Sequence, residues 1–294
     1  MRNFIEYLLV GIGDGAMYAM LGLGLVVIFR STGILNFAQG ELAMFSTFIV
    51  WTFWNAGAPM WLAVIGGMVG GFFIGALIHE MAVRPVGDPH QKPLAVVIVT
   101  IGLFLGVNGA AQLIWGTVSV KLDPLFGTGQ IVIFDVAIKW QKIGAVLVLA
   151  AMAILFYLLF QKTKIGLAMR SVASNPESAA LVGVPVPRLL MLGWGLAAAV
   201  GTMAGVFAAP SLGLDSNLMQ LTLIFGFAAI TLGGFDSLVG AIVGGLVVGI
   251  MSAVIPRYVS VFQSMPLAPA FILILVVLLF RPQGLFGKKE VTRV

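Results

Sequence analysis

The chain has 294 residues, of which 60% are hydrophobic and only 9% charged, with a formal net charge of +5. Soluble domains carry about 25% charged residues, so this composition, with a mean hydropathy of +1.10, excludes a water-exposed fold. The apolar residues come in long unbroken runs rather than the alternation of barrel strands, which points to an all-α, polytopic membrane bundle formed as one domain over residues 1–294. There is no Cys, so disulfides, thiolate metal sites and Cys nucleophiles are out of reach. The basic balance is no nucleic-acid signal, because the Lys and Arg residues sit in loops flanking the apolar runs.

In chain order, the candidate membrane segments are 4–29, 38–55, 61–83, 94–116, 143–161, 189–209, 221–235, 238–256 and 266–280. The first is too long for a signal peptide, contains Asp14 and lacks a small-residue cleavage site. Segments 38–55 and 266–280 are marginal in length. Segment 221–235 is short and ends in Gly233-Gly234, the pattern of a broken or re-entrant helix. The expectation is eight or nine crossings.

Sidedness follows from the cations. Eleven of the 16 Lys and Arg residues fall at one end: Arg30, the loops 84–93 and 162–188, and the C-terminal residues 281–294. The other end keeps Arg2, Lys121, Lys139, Lys142 and Arg257, so the first group is assigned to the cytoplasm. Two connections are long enough to hold structure. The outer loop 117–142 carries Pro124 and a strand-like run, Ile131 to Phe134. The inner loop 162–188 is of a different kind.

Glycine is abundant, at 37 residues, and recurs at four-residue spacing in Gly11/Gly15, Gly67/Gly71, Gly102/Gly106, Gly201/Gly205, Gly240/Gly244 and Gly245/Gly249. In lipid, helices associate by close contact, which small residues permit. All six pairs are therefore expected to pack against neighbouring helices.

The inner loop reads KTKIGLAMRSVASNPESAALVGVPVPRLL. Lys164 to Ala173 has helical apolar spacing. Asn175-Pro176-Glu177 is a helix start, with Asn as N-cap, Pro in the first turn and Glu where the helix dipole favours it. Ser178 to Val182 then forms a short helix ended by Gly183 in the left-handed conformation, and Pro185 and Pro187 stop its continuation. A simple turn needs only a few residues. Two short helices with small side chains suit a groove on a partner protein; the alternative is an amphipathic loop lying on lipid.

Polar groups inside the segments are costly in lipid and need partners or roles. Asp14 and Tyr18 share a face of the first segment. Asn36, Gln39 and Glu41 cluster at the start of the second. Thr100, Asn108 and Gln112 lie in the charge-free fourth, the last two on one face. Their ordinary reading is interhelical hydrogen bonding; their functional reading is a solute pathway.

The loop sequence RSVASNPESAALVGV resembles the EAA loop of ABC importer permeases in the form found in the branched-chain amino acid permease family, with Ser178 in place of the usual Ala. The segment Asn36-Phe37-Ala38-Gln39-Gly40-Glu41 is similar to the family's N-F-A-H-G-E, with Gln39 where His is usual; Gln cannot titrate. Leu232-Gly233-Gly234-Phe235-Asp236-Ser237 is similar to its L-G-G-x-G-S turn, with Asp236 in place of Gly. The C-terminal Arg281-Pro282-Gln283-Gly284-Leu285-Phe286-Gly287 also matches. The resemblance implies that the loop is a coupling helix seated in a cleft of an ATPase, with Arg170, Asn175, Pro176, Glu177, Ala179 and Gly183 as docking residues. It implies two cytoplasmic ATPase subunits that bind ATP and Mg, a homologous second permease subunit and a periplasmic solute-binding protein, all in a bacterial inner membrane. This chain has no P-loop and is expected to hold no cofactor or metal. Branched-chain amino acids are the expected solutes, with urea and short amides as alternatives. A stand-alone ion-coupled carrier would show mid-membrane ionisable pairs or an inverted repeat, and no internal repeat is evident in the sequence. An intramembrane enzyme lacks support, since His79 and His90 only flank one end of the third segment.

Overall fold

The computed structural model describes residues 2–87, 91–133, 136–265 and 267–287. His90, Phe134, Lys288, Lys289 and Arg293 lie outside them. Each of the nine apolar segments coincides with a helix: α1 (Arg2–Thr32), α2 (Gln39–Asn55), α3 (Met60–Ile78), α4 (Pro93–Trp115), α5 (Trp140–Lys162), and, after the loop helices α6 (Lys164–Ser174) and α7 (Pro176–Leu181), α8 (Val186–Leu212), α9 (Gln220–Gly233), α10 (Leu238–Tyr258) and α11 (Ala268–Phe280). Six of them, α1, α3 with its extension to Val86, α4, α5, α8 and α10, are long and apolar enough to cross a bilayer. Of the eight or nine crossings expected, these six are helices of full spanning length. Helices α2, α9 and α11 have 17, 14 and 13 residues, short of the roughly 20 that span the hydrocarbon core.

The reason is visible in where α2 and α9 begin. Gln39, the first residue of α2, sits beside Gly24 of α1 and donates its side-chain N–H to Ala197 O of α8 at 2.8 Å. Gly40 lies against Met219 and Leu223 at the start of α9. Both short helices start inside the bundle, and neither needs the length of a full crossing.

The packing also reveals a repeat. Helix α1 runs antiparallel to α10, with Gly11 against Ile250, Gly15 against Leu246 and Gly245 against Ala19; α8 runs antiparallel to α3, with Gly75 against Trp194 and Gly71 against Thr202. The short α2 lies parallel to α8 and antiparallel to α3, while α9 lies parallel to α1 and antiparallel to α10. The units α1–α3 and α8–α10 thus share one arrangement in opposite orientations, crossing where α1 meets α8. Sequence similarity does not show it, because helix packing constrains residue size far more than identity.

The cations sort by end. Arg30 donates to Asp236 O at 2.7 Å and stacks 5.6 Å from the Phe160 ring, placing the α1 terminus with the α9–α10 turn and the end of α5. Arg84, Lys92 and the 162–188 loop gather there too. Lys142 pairs with Asp14, and Arg257 stacks on Tyr7, toward the other end. That end also carries a hairpin, β1 (Gln130–Ile133) with β2 (Val136–Lys139), in antiparallel register Gln130↔Lys139. Outward faces are strongly apolar, including Phe73, Leu105, Leu113, Ile154 and Leu279, as a lipid-facing surface must be.

Five of the six glycine pairs sit at helix crossings. A methyl group built on Gly249 falls 2.3 Å from Gly15 Cα, and one on Gly205 falls 1.9 Å from Thr47 Oγ1. The pair Gly102/Gly106 is the exception: it lies on the exposed face of α4 with nothing within 4 Å. Gly249→Leu should therefore lower the unfolding midpoint of the detergent-solubilised protein by an amount equivalent to about 1–3 kcal/mol. Gly106→Ala should leave it unchanged or raise it slightly, and equal midpoints for both would show that the α1–α10 crossing does not need contact at glycine.

Candidate functional site

The segment between α1 and α2 turns back into the bundle. Gly33 takes φ 68°, and Asn36 Oδ1 accepts from Ala38 N at 3.0 Å, an Asx turn that delivers the chain to α2. Asn36, Gln39 and Glu41 are all buried. Asn36 Nδ2 and Gln39 Oε1 have no hydrogen-bond partner among the described residues. A buried polar atom left unpaired costs about 1–3 kcal/mol, so these two call for a partner or a role.

Glu41 lies in the first turn of α2, where the helix dipole favours a carboxylate. Its Oε2 accepts from Asn108 Nδ2 of α4 at 3.0 Å. The same amide donates to Ser216 O at 2.7 Å, and Asn108 Oδ1 accepts from Gln112 Nε2 at 2.6 Å. Gln112 Nε2 also reaches Ser216 Oγ at 3.4 Å. Ser216 belongs to the turn that leads into α9. The start of α2, α4 and the turn ahead of α9 therefore meet in one polar cluster.

Of the pathway candidates, the structure brings Glu41, Asn108 and Gln112 together and sets Asn36 and Gln39 at the adjoining turn. Thr100 is buried and donates to its own helix at Val97 O, 2.9 Å away, two turns from Asn108. Asp14 is elsewhere, paired with Lys142 of α5, and Tyr18 stacks on Phe225 at 4.5 Å. Ser216 was missed by sequence reasoning. Its signal was the polar run Asp215-Ser216-Asn217 just ahead of a helix too short to span.

The 162–188 loop forms as its residues dictate. Thr163 Oγ1 accepts from Gly166 N and Asn175 Oδ1 accepts from Ser178 N at 2.8 Å, capping α6 and α7. Pro176 opens α7, and Gly183 takes φ 83°. Helix α7 ends at Leu181, ahead of Pro185 and Pro187, and Pro187 lies in the first turn of α8, which begins at Val186, a position proline fits without loss of a hydrogen bond. Arg170, Asn175, Glu177 and Gly183 are exposed and Pro176 is half-buried. Ala179 is 3% exposed and packs against the body, so its role is to seat α7. The apolar residues that α7 offers outward are Leu181 and Val182, 88% and 79% exposed.

The two other matched motifs pack on each other. Leu285 N donates to Leu232 O and Phe286 N to Gly233 O, both at 2.9 Å, and a methyl on Gly234 would fall 2.6 Å from Gly287 N. The C-terminal segment thus supplies donors to the last carbonyls of α9.

Comparison with known proteins gives a consistent picture. The family described as branched-chain amino acid transport system, permease component, matches residues 7–280. The high-affinity branched-chain amino acid transport system permease protein LivH of Escherichia coli K12 is 30% identical over 99% of this chain and 98% of its own length. BraD of Pseudomonas aeruginosa, a permease protein of the same description, is 27% identical over the same shares. The fructose import permease protein FrcC of Rhizobium meliloti is 24% identical over 81% of this chain and 67% of its own.

Asn108 is the hub of the cluster, with one amide serving Glu41, Gln112 and Ser216. Asn108→Leu should destabilise the folded chain by about 1–3 kcal/mol, the loss that follows when a buried polar group is left without its partner. Gln112→Leu, which leaves the Glu41 contact intact, should cost less. Thermal unfolding of both variants in one detergent is the check, and the reverse order would remove Asn108 from the centre of the network.

Proposed function

This chain belongs to the family of branched-chain amino acid transport permease components, and we propose that it is the membrane-spanning subunit of an ATP-driven importer that carries branched-chain amino acids across the bacterial inner membrane. The observation that carries the reading is the convergence of two interrupted helices, α2 and α9, on the Glu41–Asn108–Ser216 cluster. Half-helix N-termini inside a membrane bundle favour an anionic group of the solute, and the Glu41 carboxylate favours a cationic one. A zwitterionic α-amino acid carries both. In this reading α2, α9 and α11 complete crossings begun by non-helical segments, giving nine passes with the N-terminus outside.

The 162–188 loop supports the second half of the reading. It lies at the positively charged end, which is cytoplasmic by the distribution of Lys and Arg, and presents Glu177, Leu181 and Val182 outward. Exposed apolar residues beside charge suit a protein partner, here the two ATPase subunits that bind ATP and Mg. A homologous second permease and a periplasmic binding protein complete the machine. A stand-alone ion-coupled carrier is the second reading, favoured by the opposed units α1–α3 and α8–α10.

Copurification from membranes discriminates the two. Wild-type chain should bring down ATPase subunits in mild detergent, and Glu177→Lys should lose them while keeping normal membrane levels; a chain that brings down no ATPase and transports when reconstituted alone is a carrier. Within the importer reading, Asn36→Ala and Glu41→Ala should each reduce leucine uptake at unchanged membrane levels, and full uptake by both would remove the cluster from the pathway.

A further inference from the structure

A cavity lies at the loop end, away from the Glu41 cluster. Its volume is about 320 Å³, the lower end of the range for small-molecule sites. It is a half-open cleft between the extension of α3, α6, α7 and the start of α8. Its walls are apolar: Val83, Val172, Ala180, Val186 and Leu190. The polar groups that line it are few. His79 is 2% exposed, and its Nδ1 has no hydrogen-bond partner among the described residues. Ser31, 3% exposed, gives its own hydroxyl hydrogen to carbonyls of α1 at Val27 and Ile28, which leaves its oxygen able to accept. Arg84 and Glu177, both exposed, add one cation and one carboxylate. Arg84 is held by Glu80 in an exposed ion pair, and such pairs yield readily to a competing anion because water already screens them.

We propose that this cavity is a binding site for a free α-amino acid with a branched aliphatic side chain, taken from the docking-loop side of the membrane. The side chain lies against Val172, Val186 and Leu190. The ammonium faces Ser31 Oγ, His79 Nδ1 and Glu177, and the carboxylate faces Arg84. One wall is α7 itself, through Glu177 and Ala180, so the cavity exists while α7 is seated against the body. A ligand that fills it holds α7 in that position, because displacing α7 would break the cavity and the ligand's contacts, and in the importer reading α7 must move for transport. Solute accumulating on the docking-loop side therefore slows import, an inference that rests on the functional reading above.

Two measurements test it, both with L-leucine. The first is equilibrium binding of radiolabelled L-leucine to the full chain in lipid nanodiscs. Glu41→Ala, which alters the membrane cluster, should retain this binding. Leu190→Trp, which fills the cavity, should weaken it by at least about tenfold, or 1.4 kcal/mol. The second is ATP-driven uptake by the assembled importer in proteoliposomes, with L-leucine placed on the docking-loop side. Wild-type uptake should slow several-fold, while Leu190→Trp should start at the wild-type rate and ignore the added leucine. His79→Phe, close in volume and without ring nitrogens, gives the same answer should Leu190→Trp not fold. Leucine binding that is unaffected by both variants, or slowing of uptake to the same extent in wild type and variants, overturns the site. Proteoliposomes that import nothing while the nanodisc chain binds leucine in a Leu190-dependent way would sustain the cavity and reject the import reading.

Discussion

A chain inside lipid can interrupt a helix only where the protein itself supplies partners for the freed backbone groups. In this molecule that condition is met at the crossing of α1 and α8. Gly24 and Gly201 lack the side chains that would fill the space; a methyl at either position would fall within about 3 Å of Gln39 Nε2. Into that space the chain delivers Asn36 and Gln39, with Ala197 O taking one amide hydrogen and the Asx turn at Asn36 taking a backbone one. Helix α2 can then begin at depth. Without the two glycines the turn would be expelled, and the polar residues would lose their place.

The same crossing links the two candidate sites. Helix α8 starts at the loop end beside α7 and passes Gln39 of α2 at Ala197. It touches the 162–188 loop and the turn that carries Asn36 and Gln39 within one continuous helix. At the same end, Arg30 reaches the α9–α10 turn, and the C-terminal residues Leu285 and Phe286 bond to the last carbonyls of α9. Both interrupted helices are therefore anchored near the loop end by elements that meet the loop or lie beside it. An importer needs such an arrangement, because a partner acting from outside the membrane can shift the interior only through elements with contacts at both places.

The packing inside the bundle also explains which helices face lipid. Helices α1 and α8 are largely buried and rich in Gly and Ala, whereas α4 is largely exposed. Yet α4 provides Asn108 and Gln112, which point inward to Glu41 and Ser216. Its glycines at 102 and 106 lie on the other side, in the open. A helix that is peripheral by area is thus central by hydrogen bonding.

Composition and apolar runs were sufficient to place the nine helices within a few residues, because the cost of exposing polar backbone to lipid leaves little alternative. The loop 162–188 was equally legible: Asn175, Pro176 and Gly183 act through local backbone geometry, which needs no tertiary context. The pairing of Asn108 with Gln112 followed from helical spacing alone. What spacing does not carry is the meeting of segments distant in the chain. Only the fold decided that Glu41 lies against Asn108 and Ser216 while Asp14 is taken by Lys142, that Ala179 turns inward and Leu181 outward, and that Gly102/Gly106 lie exposed. It alone showed that α2 and α9 start within the bundle, as two halves of an inverted pair. Each of these depends on which helices are neighbours, and neighbours in lipid are selected by the fit of whole surfaces, a property that no local stretch of sequence contains.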